Sequence, residues 1–94
     1  MFNKEEESSS VFGNIARCYQ KKGMYNEAIQ KLEESLNILK QEKSLNSRIN
    51  IGYAYQWLAE IYLKKGETKK SKEYSELCIS QWNKYAPGLL RLIS

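Results

Sequence analysis

Apolar residues return along this chain at steps of three and four, the period of a helix with one buried side. Val11, Phe12, Ile15, Ala16, Cys18 and Tyr19 share one side and stop at Gly23. Glycine suits the left-handed position that closes a helix. A second stripe, Ala28, Ile29, Leu32, Leu36 and Leu39, predicts a helix from a cap at Asn26 to about Lys43. The polar stretch Ser44–Ser47 reads as a connection, with Ser47 capping the next helix. That third helix, from Arg48 to Lys65, carries two stripes. One is Ile51, Ala54, Tyr55, Leu58, Ile61 and Tyr62; the other is Ile49, Tyr53 and Trp57. An apolar arc that wide is covered from more than one side, so this helix is expected at the centre. Gly66 ends it, and a fourth helix, from Thr68 to Tyr85, gains an apolar face only later, through Tyr74, Leu77, Cys78, Trp82 and Tyr85. Pro87 breaks the pattern before an apolar tail, GLLRLIS.

The first and third helices repeat each other. Phe12, Ile15, Ala16 and Tyr19 lead to Gly23, Ala28 and Leu32; Tyr55, Leu58, Ala59 and Tyr62 lead to Gly66, Ser71 and Ser75. Both copies run aromatic, large, small, aromatic. The small residue lets two helices approach, the tyrosine fills the gap beside it, and the glycine makes the turn. This order resembles the tetratricopeptide repeat, W-x2-L-G-x2-Y followed by alanine, a large apolar residue and proline over about 34 residues. The resemblance covers Phe12 to about Tyr85. It is weaker in the second copy, where Ser71 and Ser75 replace alanine and the large apolar residue, and where Pro87 comes late. Tyr19 and Tyr62 are 43 residues apart; units of that length resemble the long repeats of peptide-sensing regulators of Gram-positive bacteria, and a generic long-helix repeat is the other reading of the spacing.

The expected fold is all-α, a right-handed α-α superhelix of two antiparallel hairpins with a short C-terminal cap. One domain spans residues 1–94: a disordered start at 1–7, repeat one at about 8–44, repeat two at about 47–85, and the cap at 87–94. Ser8, Ser9 and Ser10 are the expected caps of the first helix. The resemblance implies a non-catalytic scaffold whose concave side, lined by the first helix of each pair, holds a protein or peptide. Repeat spacing assigns Asn14, Arg17, Gln20 and Lys21 to that side in the first copy. In the second it assigns Gln56, Trp57, Glu60 and Lys64, with Leu63 beside them. Arg17 or Lys21 suits a carboxylate, Gln56 a peptide backbone, and Trp57 either an anchor for the ligand or packing against the first hairpin. Gly13 and Arg17 occupy the slots of the family's carboxylate-clamp lysine and asparagine, so a clamp of that kind is not expected.

Composition narrows the chemistry. The chain of 94 residues has no histidine and no aspartate, which removes the commonest general base, the Ser-His-Asp and Cys-His arrangements and most metal sites. No enzyme activity, cofactor or metal is expected. Net charge is +4, from 15 Lys and Arg against 11 acidic residues. The doublets Lys21-Lys22, Lys64-Lys65 and Lys69-Lys70 fall at helix ends and read as solvated surface, which argues against direct nucleic-acid binding. A sensor or dimerisation segment of a DNA-binding regulator is the alternative reading. Cys18 and Cys78 match no metal spacing. The acidic start is unlike a signal peptide and no segment has the length of a membrane span, so both thiols are expected reduced in the core of a cytoplasmic protein. Two repeats are fewer than such stacks usually need, and Leu89, Leu90, Leu92 and Ile93 form an apolar patch. That segment is therefore expected to dock, covering Tyr74, Leu77 and Trp82, either on its own fourth helix or, the favoured reading, on a partner's in a homodimer.

Overall fold

Without proline until residue 87, and with helical spacing throughout, the backbone satisfies its polar groups in helices. The computed structural model describes the backbone of residues 4–92 and the side chains of residues 13–90. Four helices follow one another, α1 (Lys4–Lys21), α2 (Tyr25–Gln41), α3 (Leu45–Lys64) and α4 (Thr68–Tyr85), before a 3-10 turn at Pro87–Leu92. The architecture is all-α, as the spacing predicts. Helices α1 and α2 form one hairpin, α3 and α4 the other, and α2 packs on α3 to join them. Ala28, Leu32, Leu36 and Leu39 of α2 meet Ile51, Ala54, Leu58 and Ile61 of α3 in one core. The side chains of Ser8–Phe12 and of Arg91–Ser94 lie outside the described residues, and with them the aromatic slot of the first repeat and half of the apolar tail.

The two turns are built alike. Gly23 and Gly66 have φ of 78° and 83°, a region that L side chains rarely enter. Each lets the chain close its helix with the same pair of bonds. Met24 N donates to Tyr19 O at 2.9 Å and Gly23 N to Gln20 O at 3.0 Å; Glu67 N donates to Tyr62 O at 2.9 Å and Gly66 N to Leu63 O at 3.0 Å. These are Schellman closures, in which the last carbonyls of the helix find donors beyond it. The tyrosine that ends the aromatic, large, small, aromatic run thus also supplies the carbonyl on which its turn closes.

Helix starts differ from the sequence reading at three places. Helix α3 begins at Leu45 with Ser44, not Ser47, as its cap. Ser44 Oγ accepts from Ser47 N at 3.1 Å and donates to Ser47 Oγ at 3.0 Å. Ser47 is therefore the third helical residue, and it is buried. Helix α2 starts at Tyr25, and its cap residue, Met24, makes no side-chain bond. Asn26 lies inside the first turn, where its Oδ1 accepts from Lys65 Nζ at 2.8 Å across the stack. Helix α1 starts at Lys4, so Ser8–Ser10 lie within it. Replacing Ser44 with alanine is expected to lower stability by about 1 kcal/mol, measured as a shift of the urea midpoint. The exposed Asn26→Ala is expected to move it by about 0.5 kcal/mol or less.

In the second copy the alanine slot is filled by Ser71. It is buried, and its Oγ donates to Ala59 O at 2.7 Å. The hydroxyl is thereby satisfied and the close helix approach is kept. Further along, Arg48 Nη1 donates to Tyr85 Oη at 3.0 Å and Gln81 Nε2 to Arg48 O at 2.9 Å. Trp82 Nε1 donates to Ile49 O at 3.0 Å. Trp82 was expected on an exposed end, but it is 1% exposed, covered by its own hairpin. Leu77 does face solvent. The tail turns back on α4, with Leu89 N donating to Ala86 O at 3.0 Å and Leu89 and Leu90 half-buried.

The thiols also differ from expectation. Cys78 is buried, but Cys18 is exposed. Burial pushes the Cys78 thiol above its ordinary 9.0. Tyr62 and Tyr74 stack at 5.5 Å between centroids with 3° between planes. Both hydroxyls are pushed above 10.0, chiefly by burial, and next by Glu33 for Tyr62 and by Tyr62 for Tyr74. All three groups are harder to deprotonate in the folded chain. Their contribution to stability is complete below the unfolded values and is lost as pH rises through the folded ones. Thermal midpoints are therefore expected to fall above about pH 9, with Cys78→Ala delaying the onset. A midpoint that stayed level up to pH 11 would contradict this burial.

Candidate functional site

Helices α1 and α3 run side by side along one surface, and a groove of about 210 Å³ lies between them. Arg17, Gln20 and Lys21 come from α1, and Trp57, Glu60 and Lys64 from α3. Each helix presents residues one turn apart, so the groove is a direct product of the 3.6-residue period. Six of the eight residues that repeat spacing assigns to the concave side thus meet here. Asn14 is one turn along α1, beside Trp57 in a second and more apolar cleft. Gln56 is not with them. It lines a neighbouring groove on the α4 side of α3, together with Leu63 and sharing Glu60. A residue next to Trp57 in sequence is rotated about 100° around the helix, enough to carry it over the ridge.

The second cleft, of about 300 Å³, opens under Trp57 where α1, α2 and α3 converge. Gly13, Leu39, Tyr53 and Ala54 make its apolar lining, and Ser35 and Asn50 its polar part. Sequence reading missed it. One signal was present: Ser35 interrupts an otherwise apolar stripe between Leu32 and Leu36. The other signal, Gly13 opposite Trp57, needs the packing of α1 on α3 and is invisible along the chain.

Trp57 divides the two clefts and packs against the first hairpin, one of its two expected roles. Its ring lies against Gly13, where a Cβ would come within 3.1 Å of the indole. It is half-buried, and the Arg17 guanidinium sits over it at 5.9 Å from the centroid. Tyr53 is 6.4 Å away, tilted by 38°. Lys64 pairs with Glu60 at 3.4 Å, an exposed contact of little energy. The groove therefore carries three cations against one acid. The cationic rim and the apolar cleft meet at a ring that has a face for each. Elsewhere Lys65 pairs with Glu67 at 3.2 Å, so the doublet there is partly neutralised. No group of three or more Cys or Glu among the described residues could hold a metal ion, and none of the described helices is long and apolar enough to cross a membrane.

Comparison with known proteins gives a consistent result. Models of the tetratricopeptide repeat match residues 11–45 and again residues 49–81. The chain is 30% identical over 86 residues to Protein KINESIN LIGHT CHAIN-RELATED 2 of Arabidopsis thaliana, covering 92% of this chain and 13% of that protein. It is 27% identical over 85 residues to Protein KINESIN LIGHT CHAIN-RELATED 1 of the same plant, covering 90% of this chain and 14% of that one. No solved structure matches. The first match lies on the α1–α2 hairpin and ends at the first residue of α3, and the second lies within the α3–α4 hairpin.

Proposed function

Since the chain belongs to the tetratricopeptide-repeat family, a family of protein-interaction scaffolds, we propose that it binds an extended peptide across Trp57. The carrying observation is the shared position of that ring, with Arg17, Lys21 and Lys64 on one side and the apolar cleft of Gly13, Leu39, Tyr53 and Ala54 on the other. A peptide with a large apolar side chain near one or more acidic residues matches both halves. The apolar group enters the cleft, the acids meet the cations, and Asn14, Gln20 and Asn50 offer hydrogen bonds to the backbone. Without histidine or aspartate in the chain, the groove is read as a holder and not a catalyst. The chain spans about one seventh of the relatives it matches, so the setting in which it holds a peptide belongs to this proposal too. The sensor half of a peptide-responsive regulator is the setting that the long repeats resemble.

Selection from a displayed random peptide library tests this reading. Enrichment of sequences that combine Leu, Ile or Phe with Glu or Asp is the expected result. The double substitution Arg17→Glu, Lys21→Glu is expected to weaken the selected peptides roughly tenfold and to flatten their salt dependence. Peptides that bind equally well to the doubly substituted chain would place the site elsewhere.

A further inference from the structure

The apolar cleft and the cationic groove follow one another along α1 and α3 and do not lie across them. On α1 the cleft takes Gly13 and the groove takes Arg17 and Lys21. On α3 the cleft takes Tyr53 and Ala54, the groove takes Glu60 and Lys64, and Trp57 belongs to both. A ligand that reaches from one to the other therefore runs with the helix axes. Gly13, Arg17 and Lys21 follow one another at steps of four residues. At a helical rise of about 1.5 Å per residue, Arg17 lies about 6 Å and Lys21 about 12 Å beyond Gly13.

Alternate residues of an extended peptide have nearly the same interval. A rise of about 3.3 Å per residue puts the second residue about 6.6 Å and the fourth about 13 Å from the starting one, with all three side chains on one face. The residues between them point the other way. We propose, on the basis of the peptide reading above, that the site recognises a register. One large apolar side chain fills the cleft, a carboxylate at the second position from it meets Arg17, and a carboxylate at the fourth meets Lys21 and Lys64. The first and third positions face solvent and are not selected.

The charges on the walls agree with these places. Arg17 and Lys21 are exposed cations one turn apart on one helix, a like-charge pair that carboxylates relieve. Arg17 is held over the Trp57 ring, next to the cleft. Lys21 makes no ion pair among the described residues. The single acid of the groove, Glu60, is already paired with Lys64 at 3.4 Å. A helical ligand would show the same interval at every fourth residue, but a helix satisfies its own backbone. Asn14 and Asn50 at the cleft and Gln20 in the groove offer donors and acceptors that an extended backbone can use.

Peptides of one composition, labelled with fluorescein and set in the same Gly-Ser flanks, test the register by anisotropy on the full chain. The sequence Leu-Ser-Glu-Ser-Glu is compared with its isomer Leu-Glu-Ser-Glu-Ser, and both with their reversed sequences. Composition and net charge are equal, so general attraction to the cations is equal too. In the chain direction that binds more tightly, the isomer with Glu at the second and fourth positions is expected to win by about fivefold. Lys21→Gln, verified as folded by circular dichroism, is expected to remove the gain from the fourth-position Glu, read against a peptide with Ser there, and to keep the gain from the second. Equal binding of the two isomers overturns the register and leaves the peptide reading standing. So does tighter binding of a longer peptide with Glu at the fourth and eighth positions, the mark of a bound helix. Binding by none of these peptides overturns both.

Discussion

Trp82→Ala is expected to cost about 3–5 kcal/mol, the largest effect of any single substitution in this chain. Total stability of a domain this small falls at the low end of about 5–15 kcal/mol, so the variant should be close to unfolded at room temperature. The ring is 1% exposed, donates its Nε1 hydrogen to Ile49 O, and meets Tyr53 edge-on with centroids 4.9 Å apart. Its place exists because residue 52 is glycine. A Cβ on Gly52 would overlap the Trp82 ring at Nε1, Cδ1 and Cε2. Gly52→Ala gains about 1 kcal/mol of helix propensity and loses more through overpacking and the displaced hydrogen bond, about 1–3 kcal/mol and about 1 kcal/mol. A net loss is expected, with the thermal midpoint falling by about 4–8 °C for each kcal/mol lost. Gly13→Ala is the contrast. Its Cβ would meet only the Cζ3 edge of the half-buried Trp57 at 3.1 Å, and that ring has room to move, so the propensity gain should roughly offset the crowding. Urea melts of the three variants decide the matter. If Gly52→Ala proved as stable as Gly13→Ala, the packing of α4 on α3 described above would be wrong.

Trp57→Ala should have the second largest effect, and on binding more than on folding. The ring is half-buried, so truncation removes less buried surface than at Trp82. It nonetheless forms the wall between the cationic groove and the apolar cleft, and it holds Arg17 over its face. A central aromatic anchor of this kind carries about 2 kcal/mol or more, which is roughly a thirtyfold loss of affinity. Titration of a fluorescently labelled, library-selected peptide by anisotropy measures it, with circular dichroism as the control for folding. Gln56→Ala, one residue away on the α4 side of α3, should leave peptide affinity within about twofold. Equal losses at the two positions would mean that the peptide lies over the end of the stack and not between α1 and α3.

The helices themselves could be read from the chain. Apolar periodicity located all four, and Gly23 and Gly66 located both hairpin turns, because helix period and left-handed closure are local properties. The concave assignment of Arg17, Gln20, Lys21, Trp57, Glu60 and Lys64 to one side needed only the repeat register, and the structure brings those six together. Local capping was read less well. Ser44 and Ser47 are both good caps, and which one serves depends on where α3 must begin in order to bury Ser47 against its neighbours.

What the sequence by itself determined was the repeated unit: its helices, its turns, its register of 43 residues and the absence of histidine and aspartate chemistry. Each follows from residue type and spacing alone. The tertiary structure decided which copies of that register are covered. Cys18 and Ile61 occupy equivalent positions, yet one is exposed and the other is buried in the core that α2 and α3 share. Trp82 is buried where Leu77 on the same helix is 45% exposed, because Gly52 leaves a space of the right shape opposite the ring while Leu77 lies on the solvent side of α4. Exposure depends on neighbours brought together by packing, and no residue carries that information in its own position along the chain.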